Sequence, residues 1–492
     1  MAQVMNVMIH LDWKPDKSLA TPVYIQIKNF IKDKIETGQW TVGTRIPAQR
    51  ALAQLFGVNR STVVLACEEL IAEGLLEGKS GQGTLVKNNT WSLLSSAPPP
   101  DWNLYIQKGA HQPNLPTIQD INRWEPLPHI IRLGTGEPSP EMFPRELMAQ
   151  ILHRLPAKIQ SLGYEEGKGL YPLREELSKY LQSIGIAASP ASIMIVSGAL
   201  QALQLISIGL LRRNSTILLE KPSYLKSLNL FPSSGINMVG IPMDSKGMQI
   251  PYVKQQKKRH NASLVYTIPS FHNPTGTVMT LERRKQLLQA CEEVQLPIIE
   301  DDVYRELWLD EPPPPPLKAM DKHGTVLYLG SISKALSPGL RIGWIVGPEP
   351  VIDRLADIKM QTDYGSSSLS QWAVAEWLSS GMYAEHLATM RASLRLRREA
   401  AMDLLRREFD GIVEWKKPSG GFYIWLQLPS TLSIRELFEA ALKEGILLNP
   451  GNIYDQEAAS HLRLSYAYAS LPDLEKGMKR LARIIKNMLR QR

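Results

Sequence analysis

The sequence contains little cysteine, which excludes several classes of protein. Two cysteines, Cys67 and Cys291, are too few for a disulfide framework or a structural zinc site. Both lie in apolar stretches, where a buried free thiol is expected. We therefore predict no metal site and a reducing, cytoplasmic location.

Long apolar runs are also absent. No run reaches the roughly 18 residues that a membrane span requires, and the first residues lack the basic and apolar segments of a secretory leader. Charged residues make up 21% and hydrophobic residues 43% of the chain, which excludes a disordered protein. The length of 492 residues predicts two or three domains.

Positive charge is not concentrated at one end of the chain. The formal net charge is +8, but residues 1–88 hold ten Lys and Arg against eight Asp and Glu. Bulk charge therefore permits nucleic-acid binding without identifying a domain for it. Any prediction of DNA binding must come from the residue pattern.

Differences in composition and residue pattern divide the chain into three parts. Residues 1–88 read as short helices and a Gly-rich hairpin, and residues 89–125, rich in Pro, Asn and Ser, read as a linker. In residues 126–492, apolar strand-like runs alternate with helical stretches, which predicts an α/β fold with a doubly wound, mostly parallel sheet. A smaller α+β lobe is expected from about residue 380 to 492.

The first part has the spacing of a winged helix-turn-helix. A helix over 22–37 is followed by a second helix from Pro47 to Gly57 and by a third, capped by Asn59, that ends at Gly74. The segment LLEGKSGQGTLV then predicts two strands with a Gly-rich tip, the wing. A small helical domain with a solvated polar face is the alternative.

If the third helix enters a major groove, its first residues face the base edges. The residues predicted to contact DNA on this basis are Arg45, Arg50, Asn59, Arg60, Ser61, Thr62, Gly81 and Gly83. Arg45 and Arg50 are assigned to phosphates, and the two glycines to close approach of the wing. The motifs GQWTVGTRIPAQR, GVNRSTV, LIAEGL and GQGT, in this order, resemble the GntR family of bacterial regulators, which implies DNA binding.

The run LYLGSISKALSPGLRIGW carries the main chemical signal of the second half. An apolar strand ends in a turn with Ser331, Ser333 and Lys334, and Arg341 follows seven residues later. A lysine there is suited to a Schiff base with a pyridoxal aldehyde, and hydroxyls with a guanidinium are suited to a phosphate. An isolated lysine of this kind is more often a surface residue, so other segments must support the assignment.

Three other segments supply matching groups. Asp301 ends an apolar strand, with Tyr304 three residues later, and an aspartate there pairs with a pyridine nitrogen. Asn273 in IPSFHNPTGT is placed to bind a ring hydroxyl. In IVSGALQAL, a helix begins after a Gly, so the N–H groups of Ala199 and Leu200 are suited to a phosphate.

Together these segments resemble fold type I pyridoxal-phosphate enzymes of the aspartate aminotransferase superfamily. The resemblance implies a pyridoxal 5'-phosphate cofactor covalently held by Lys334, the catalytic residue. It implies further cofactor contacts from Ala199, Leu200, Tyr224, Asn273, Asp301, Tyr304, Ser331, Ser333, Arg341 and Tyr164. Tyr224 would stack on the ring, with core packing as the alternative, and Tyr164 would reach the phosphate of a partner subunit.

Arg463 in HLRLSYAY lies on a predicted strand, where a guanidinium is suited to a substrate carboxylate. The alternative is a salt bridge to a neighbouring acid. The family's carboxylate-binding arginine matches this position.

The combination of both halves resembles the MocR subfamily of transcription regulators. It implies a homodimer, often head-to-tail, that binds double-stranded DNA and senses an amino acid or amine. An active aminotransferase is the alternative function, because EDDVYREL keeps the Asp-x-x-Tyr spacing of enzymes. Asp302 remains an alternative to Asp301, and a mere dimerisation role for the first domain is the third alternative.

Overall fold

The computed structural model describes residues 13–79, 83–89, 102–159 and 161–491. They divide into two compact units, one that extends to Ala110 and one that begins at His111. No helix in these described ranges is long and apolar enough to cross a membrane.

The first unit contains short helices and a two-stranded antiparallel sheet. Its helices are α1 (Val23–Glu36), α2 (Gln49–Phe56), α3 (Arg60–Ala72) and α4 (Trp102–Lys108), and its strands are β1 (Leu76–Lys79) and β2 (Gly83–Val86). In the sheet, Leu76 lies opposite Val86, and Lys79 lies opposite Gly83. This order of α1, α2, α3 and a hairpin confirms the predicted winged helix-turn-helix. The wing tip, residues 80–82 with the predicted contact Gly81, lies outside the described residues.

The apolar spacing explains the packing of these helices. Ile27, Ile31 and Ile35 recur every four residues on α1 and are fully buried. Gly57 ends α2 in the left-handed conformation, with φ of 64°. Helix α2 begins at Gln49, two residues after the predicted start, because Ala48 is still extended. Asn59 occupies the cap position of α3 as predicted, but its side chain makes no capping hydrogen bond.

The second unit is an α/β fold. Its helices are α5 (Pro116–Trp124), α6 (Arg145–Arg154), α7 (Tyr171–Ser183), α8 (Ala199–Gly209), α9 (Leu230–Ser233), α10 (Ile250–His260), α11 (Leu281–Glu293), α12 (Leu317–Met320), α13 (Glu349–Thr362), α14 (Ser368–Ser379), α15 (Met382–Glu408), α16 (Ile434–Lys443) and α17 (Leu471–Arg490).

Its strands are β3 (Ile131–Arg132), β4 (Ile193–Val196), β5 (Thr216–Lys221), β6 (Asn237–Asp244), β7 (Gly247–Met248), β8 (Leu264–Thr267), β9 (Ile298–Asp301), β10 (Val326–Ser331), β11 (Gly343–Val346), β12 (Tyr423–Gln427), β13 (Ile446–Leu447), β14 (Asn449–Pro450) and β15 (His461–Ser465). Eight of them form one sheet in the order β4-β11-β10-β9-β8-β5-β6-β7. Neighbouring strands from β10 to β6 are parallel, and β11 and β7 run antiparallel to their neighbours. The predicted mostly parallel sheet is confirmed.

Alternate residues of the central strands belong to two separate apolar cores, one on each face of the sheet. Ile299 and Tyr266 pack in one core, whereas Ile298 and Val265 pack in the other. This pattern follows from the pleat, which points successive side chains to opposite faces. It confirms a doubly wound sheet, because both faces are covered.

A smaller antiparallel sheet, in the order β12-β15-β14, lies in the last third of the chain, as expected for the small lobe. Strand β3, from the start of the unit, pairs in parallel with β13. The beginning of the unit therefore contributes to the architecture of its end.

Residues 111–125 differ from the prediction of a linker. Helix α5 spans Pro116–Trp124, with Pro at its first position, and Ile121 on this helix is buried in the core of the second unit. The second unit therefore begins well before residue 126. Composition concealed this helix because its three large apolar residues, Ile118, Ile121 and Trp124, lie among polar residues.

Candidate functional site

A cavity of about 430 Å³ opens where several strands of the large sheet end. Its lining includes Ile268 just after β8, Asp301 at the end of β9 and Ser331 at the end of β10. Ligands of α/β proteins bind at the carboxyl ends of parallel strands. The cavity brings together nearly all the predicted cofactor residues, namely Ala199, Leu200, Tyr224, Asn273, Asp301, Tyr304, Ser331, Ser333, Lys334 and Arg341, and also the predicted substrate residue Arg463.

Lys334 follows the fully buried strand β10 by three residues and is half-buried at the cavity. Its Nζ donates a hydrogen bond to the carbonyl of Gly136 at 2.7 Å. A Cβ at position 136 would lie 2.3 Å from Oη of Tyr423, so only glycine fits there. The lysine is thus held by a single backbone contact within a crowded wall of the cavity.

Hydroxyl, guanidinium and backbone N–H groups meet at one part of the cavity. Ser331 Oγ lies 3.0 Å from Ser333 Oγ and accepts a hydrogen bond from the Ser333 N–H at 3.1 Å. Arg341 donates to the carbonyl of Ser197 at 2.6 Å, which holds the guanidinium beside Gly198. These groups are the usual ligands of a phosphate.

Gly198 shapes this part of the cavity. Its φ of 87° lies in the left-handed region, and a Cβ there would approach Arg341 Nη2 to 2.8 Å. Helix α8 begins at the next residue, so the N–H groups of Ala199 and Leu200 have no acceptor within the helix. Such N–H groups at a helix start favour an anion.

Asp301 is buried at the end of β9 with one carboxylate oxygen bonded and one not. Tyr266 donates to its Oδ2 at 2.7 Å, while Oδ1 has no hydrogen-bond partner among the described residues. Burial raises the pKa of Asp301 to about 6, although the Tyr266 hydrogen bond opposes the rise. The carboxylate is therefore poised for a partner in the cavity.

Asp302 faces away from the cavity. It pairs with Arg305 at 3.3 Å and does not line the cavity, although its Oδ1 also lacks a partner among the described residues. Successive residues at a strand end point to opposite sides. The geometry therefore favours Asp301 over Asp302 as the partner of a ligand in this cavity.

Arg463 is buried and lacks a counter-ion among the described residues. Nη1 donates to Asn273 Oδ1 and Nη2 donates to the carbonyl of Gly134, both at 2.7 Å, and Nε is buried without a partner. The guanidinium lies over the rings of Tyr423 and Tyr454, 4.2 and 4.9 Å from their centroids. No salt bridge to a neighbouring acid is found in the described chain, which leaves a buried positive charge for an anionic ligand.

Three polar side chains form a chain beside Arg463. Asn273 Nδ2 donates to Tyr304 Oη at 3.3 Å, and Tyr304 Oη lies 3.0 Å from Tyr423 Oη. Asn273 therefore connects the arginine with the tyrosine predicted to bind the ring hydroxyl. Burial raises the pKa of Tyr224, which also lines the cavity and stays protonated.

Tyr164 is the one predicted cofactor residue that this chain does not bring to the cavity. Its side chain is 84% exposed and its ring lies 5.1 Å from that of Tyr364.

Sequence reasoning missed several residues of the cavity. Tyr423 lines the cavity and lies within hydrogen-bond distance of Tyr304, and Tyr266, which lies behind the lining, donates a hydrogen bond to Asp301. One wall of the cavity, from the first part of the unit, consists of Asn114, Ile118, Ile121, Asn122 and Glu125. A tyrosine within the buried strand ASLVYT was a usable signal, since a buried hydroxyl needs a partner. No comparable signal in the sequence marked the residues of this wall.

The first unit presents the predicted DNA-contacting residues at the start of α3 and beside the wing. Asn59, Arg60 and Ser61 are exposed, Thr62 is half-buried, and no acidic residue lies in the first turn of α3. Arg50 on α2 is also exposed.

Arg45 packs against the wing strand. A Cβ at Gly83 would lie 3.1 Å from its Nε, so Gly83, with φ of 84°, leaves room for the guanidinium. At the other end of α3, Lys28 pairs with both Glu69 and Glu73 at 2.7 Å. Glu69 and Glu73 are thus paired away from the first turn of α3.

Comparisons with known proteins agree with this architecture. The profile of the family "Aminotransferase class I and II" matches residues 128–481, and that of "Bacterial regulatory proteins, gntR family" matches residues 23–86. An uncharacterized HTH-type transcriptional regulator of Bacillus subtilis, YisV, is 53% identical over 97% of this chain and 99% of its own. The HTH-type transcriptional regulator NorG of Staphylococcus aureus is 34% identical over 90% of this chain and all of its own.

Solved structures resemble the second unit. Kynurenine aminotransferase of Pyrococcus horikoshii, in complex with PMP, has a TM-score of 0.74 and 33% identity over 79% of this chain and 98% of its own. The α-aminoadipate aminotransferase LysN of Thermus thermophilus, complexed with N-(5'-phosphopyridoxyl)-L-leucine, has a TM-score of 0.73 and 32% identity over 80% of this chain and all of its own.

The aminotransferase profile covers more than half of the chain, and the regulators match it almost from end to end. The chain belongs to the MocR-like HTH-type transcriptional regulators, in which a GntR-family DNA-binding domain is joined to an aminotransferase class I and II domain.

Proposed function

We propose that this protein regulates transcription by coupling DNA binding in its first unit to pyridoxal phosphate and an amine in its second. The observation that carries the proposal is the buried Oδ1 of Asp301, which has no hydrogen-bond partner among the described residues and lies in the same cavity as Lys334, on a chain that also holds a winged helix-turn-helix. Pyridoxal phosphate supplies an aldehyde that condenses reversibly with primary amines and a ring nitrogen that pairs with a carboxylate.

The residues present fit this cofactor. Lys334 would hold it covalently, and Asp301, oriented by the hydroxyl of Tyr266, would pair with the ring nitrogen. Asn273 and Tyr304 would bind the ring hydroxyl, and Tyr224 would stack on the ring. The phosphate ligands would be Ser331, Ser333, Arg341 and the N–H groups of Ala199 and Leu200.

An amino acid or amine is the proposed effector. Arg463 carries a buried charge with no acidic partner among the described residues, and a carboxylate is the simplest ligand to neutralise it. The amino group of this effector would then lie toward Lys334. Displacement of the Lys334 side chain breaks the hydrogen bond from its Nζ to the carbonyl of Gly136.

The proposed DNA contacts lie at the start of α3 and on the surfaces beside it. The residues that would face base edges are Asn59, Arg60, Ser61 and Thr62. The side chain of Asn59 makes no hydrogen bond that caps α3, which leaves its amide for a base. Arg45, Arg50 and the wing glycines Gly81 and Gly83 would approach the phosphates.

A head-to-tail homodimer is part of the proposal. Tyr164 is exposed and does not line the cavity of its own chain, so its side chain is available to reach the phosphate of a partner subunit. Coupling between the sites requires that the ligand bind two arrangements of the dimer with different affinity.

Coverage of the chain favours regulation over transamination. The regulators match both units, whereas the aminotransferase structures match about four fifths of the chain. An aminotransferase function accounts for the second unit alone.

The test is the visible absorption of the purified full-length protein with pyridoxal phosphate, followed during titration with amino acids. We expect an absorption band of the lysine-bound cofactor that Lys334→Ala abolishes. We also expect amines to change this band without repeated transfer of an amino group to a 2-oxo acid. Repeated turnover in the wild type would support the enzyme alternative, and an unchanged band in Lys334→Ala would contradict the role of Lys334. In parallel, removal of residues 1–88 is expected to abolish promoter binding.

A further inference from the structure

One wall of the cavity comes from α5 and from one residue on each side of it, Asn114 and Glu125. This wall presents Ile118 and Ile121, which are apolar, together with the polar residues Asn114, Asn122 and Glu125. None of these residues belongs to the proposed cofactor set. The wall is therefore free to select the side chain of an effector.

Glu125 is a fixed carboxylate without a counter-ion. Thr135, which is buried, donates from Oγ1 to Glu125 Oε1 at 2.6 Å. Glu125 makes no ion pair within the described parts of the chain, and the nearby Arg123 pairs with Asp120 at 3.5 Å. A half-buried carboxylate of known orientation thus faces the cavity, and no Lys or Arg of the described residues forms an ion pair with it.

The cations of the cavity are engaged elsewhere. Lys334 donates to Gly136, Arg341 to Ser197, and Arg463 to Asn273 and Gly134. None of the three donates to Glu125 in the described structure.

The position of Glu125 is unfavourable for its helix. It is the C-cap residue of α5, and its N–H donates to the carbonyl of Ile121 at 2.8 Å. The C-terminal end of a helix carries partial negative charge, so a carboxylate there is repelled by the helix. Helix stability therefore does not account for an acidic residue at this position.

Glu125 lines the same cavity as Arg463 and Tyr454. The Tyr454 ring centroid is 4.9 Å from the guanidinium of Arg463. The guanidinium of Arg463, the ring of Tyr454 and the carboxylate of Glu125 therefore face one cavity.

From this arrangement we infer that the effector is an amino acid whose side chain bears a second cationic group, as in L-lysine or L-ornithine. Its carboxylate binds Arg463, its α-amino group lies toward Lys334, its methylene groups contact Ile118 and Ile121, and its side-chain ammonium binds Glu125. The inference rests on the proposed function and adds the chemical class of the ligand.

The experiment is calorimetric titration of the full-length, cofactor-loaded protein with L-lysine, L-ornithine and L-norleucine. L-Norleucine keeps the carboxylate, the α-amino group and an aliphatic chain but lacks the second ammonium group. We expect one of the two cationic amino acids to bind roughly 10- to 100-fold more tightly than L-norleucine, the difference typical of a charged hydrogen bond. Equal affinities, or no binding by either cationic amino acid, would overturn the inference.

Two variants separate the role of Glu125 from a general effect of charge. In Glu125→Gln the preference for the cationic amino acid over L-norleucine is expected to fall to about twofold or less. In Glu137→Gln, which removes an exposed carboxylate from the same cavity, it is expected to persist. Cofactor absorption serves as the check that both variants are folded, and a preference that survives in Glu125→Gln overturns the assignment.

Failure of this inference is distinguishable from failure of the proposed function. If DNA binding responds to L-norleucine as strongly as to L-lysine, regulation by an amine stands and only the cation preference is wrong. If the cofactor does not attach to Lys334, or no amine alters DNA binding, the proposed function itself is wrong.

Discussion

At the scale of single residues, the pleat of β9 decides which of two adjacent aspartates faces the cavity. Asp301 lies on the face of Ile299 and Tyr266, while Asp302 pairs with Arg305 away from the cavity. Sequence alone did not decide which of Asp301 and Asp302 faces the cavity, because the face of the sheet that a residue occupies depends on where the strand ends.

Asp301→Asn is therefore expected to weaken pyridoxal phosphate binding by roughly 10- to 100-fold, the loss typical of a charged hydrogen bond. Asp302→Asn is the matched control and is expected to leave cofactor affinity within about twofold. The measurement is a titration of cofactor absorption for each variant, with thermal unfolding to confirm folding. A larger loss in Asp302→Asn would reverse the assignment.

The buried carboxyl of Asp301 also predicts a pH dependence of stability. Burial raises its pKa from 3.8 to about 6 in the folded chain, so the folded state binds the proton more tightly than the unfolded state. Stability from this group is fully present below about pH 4 and is lost as pH rises to about 6, by about 3 kcal/mol at about 1.4 kcal/mol per pH unit.

Asp301→Asn removes this titration. Relative to the wild type, the cofactor-free variant is expected to gain about 3 kcal/mol of unfolding free energy between pH 4 and pH 7. Urea unfolding of both proteins at each pH gives this difference. The titration of Glu300 cancels in it, whereas Glu220 adds a smaller change, because the charge of Asp301 contributes to the raised pKa of Glu220. A difference that does not change with pH would contradict the raised pKa.

At the scale of elements, the junction between β4 and α8 forms the proposed phosphate site through Gly198. Gly198→Ala places a Cβ against Arg341 at positive φ, so cofactor affinity is expected to fall at least tenfold. Gly185→Ala is a matched control, since its φ is also 87° but its Cβ would meet only Ala319 at 3.4 Å. Absorption titration compares the two, and an equal loss in both would indicate general strain instead of a local phosphate site.

Elements also show what sequence could and could not predict. The strand-end residues Asp301, Ser331 and Lys334 were recognisable because apolar runs mark buried strands and polar residues mark their ends. Helix α5 was not, since its packing depends on contacts with residues far along the chain. The same holds for Tyr423, which meets Tyr304 across a separation of 119 residues.

At the scale of the whole molecule, two units with separate cores combine a DNA-binding fold and a cofactor fold in one chain. Positive and negative charges are nearly balanced in the first domain. Glu73, at the end of α3 that is remote from Arg60, forms ion pairs with Lys28 and Lys32, so its negative charge lies away from the predicted DNA contacts of Arg60. We therefore expect DNA binding to depend on how charge is arranged in this domain and not on its total.

The central claim is that occupancy of the cavity alters DNA binding. The most direct test is the fluorescence anisotropy of a promoter fragment titrated with the full-length protein, with and without pyridoxal phosphate and an amino acid, for wild type and Lys334→Ala. We predict that the ligands change the wild-type affinity by about 5- to 150-fold, the usual range of coupling between sites, and leave Lys334→Ala unchanged. The same affinity in all wild-type conditions, or an equal change in Lys334→Ala, would contradict the account.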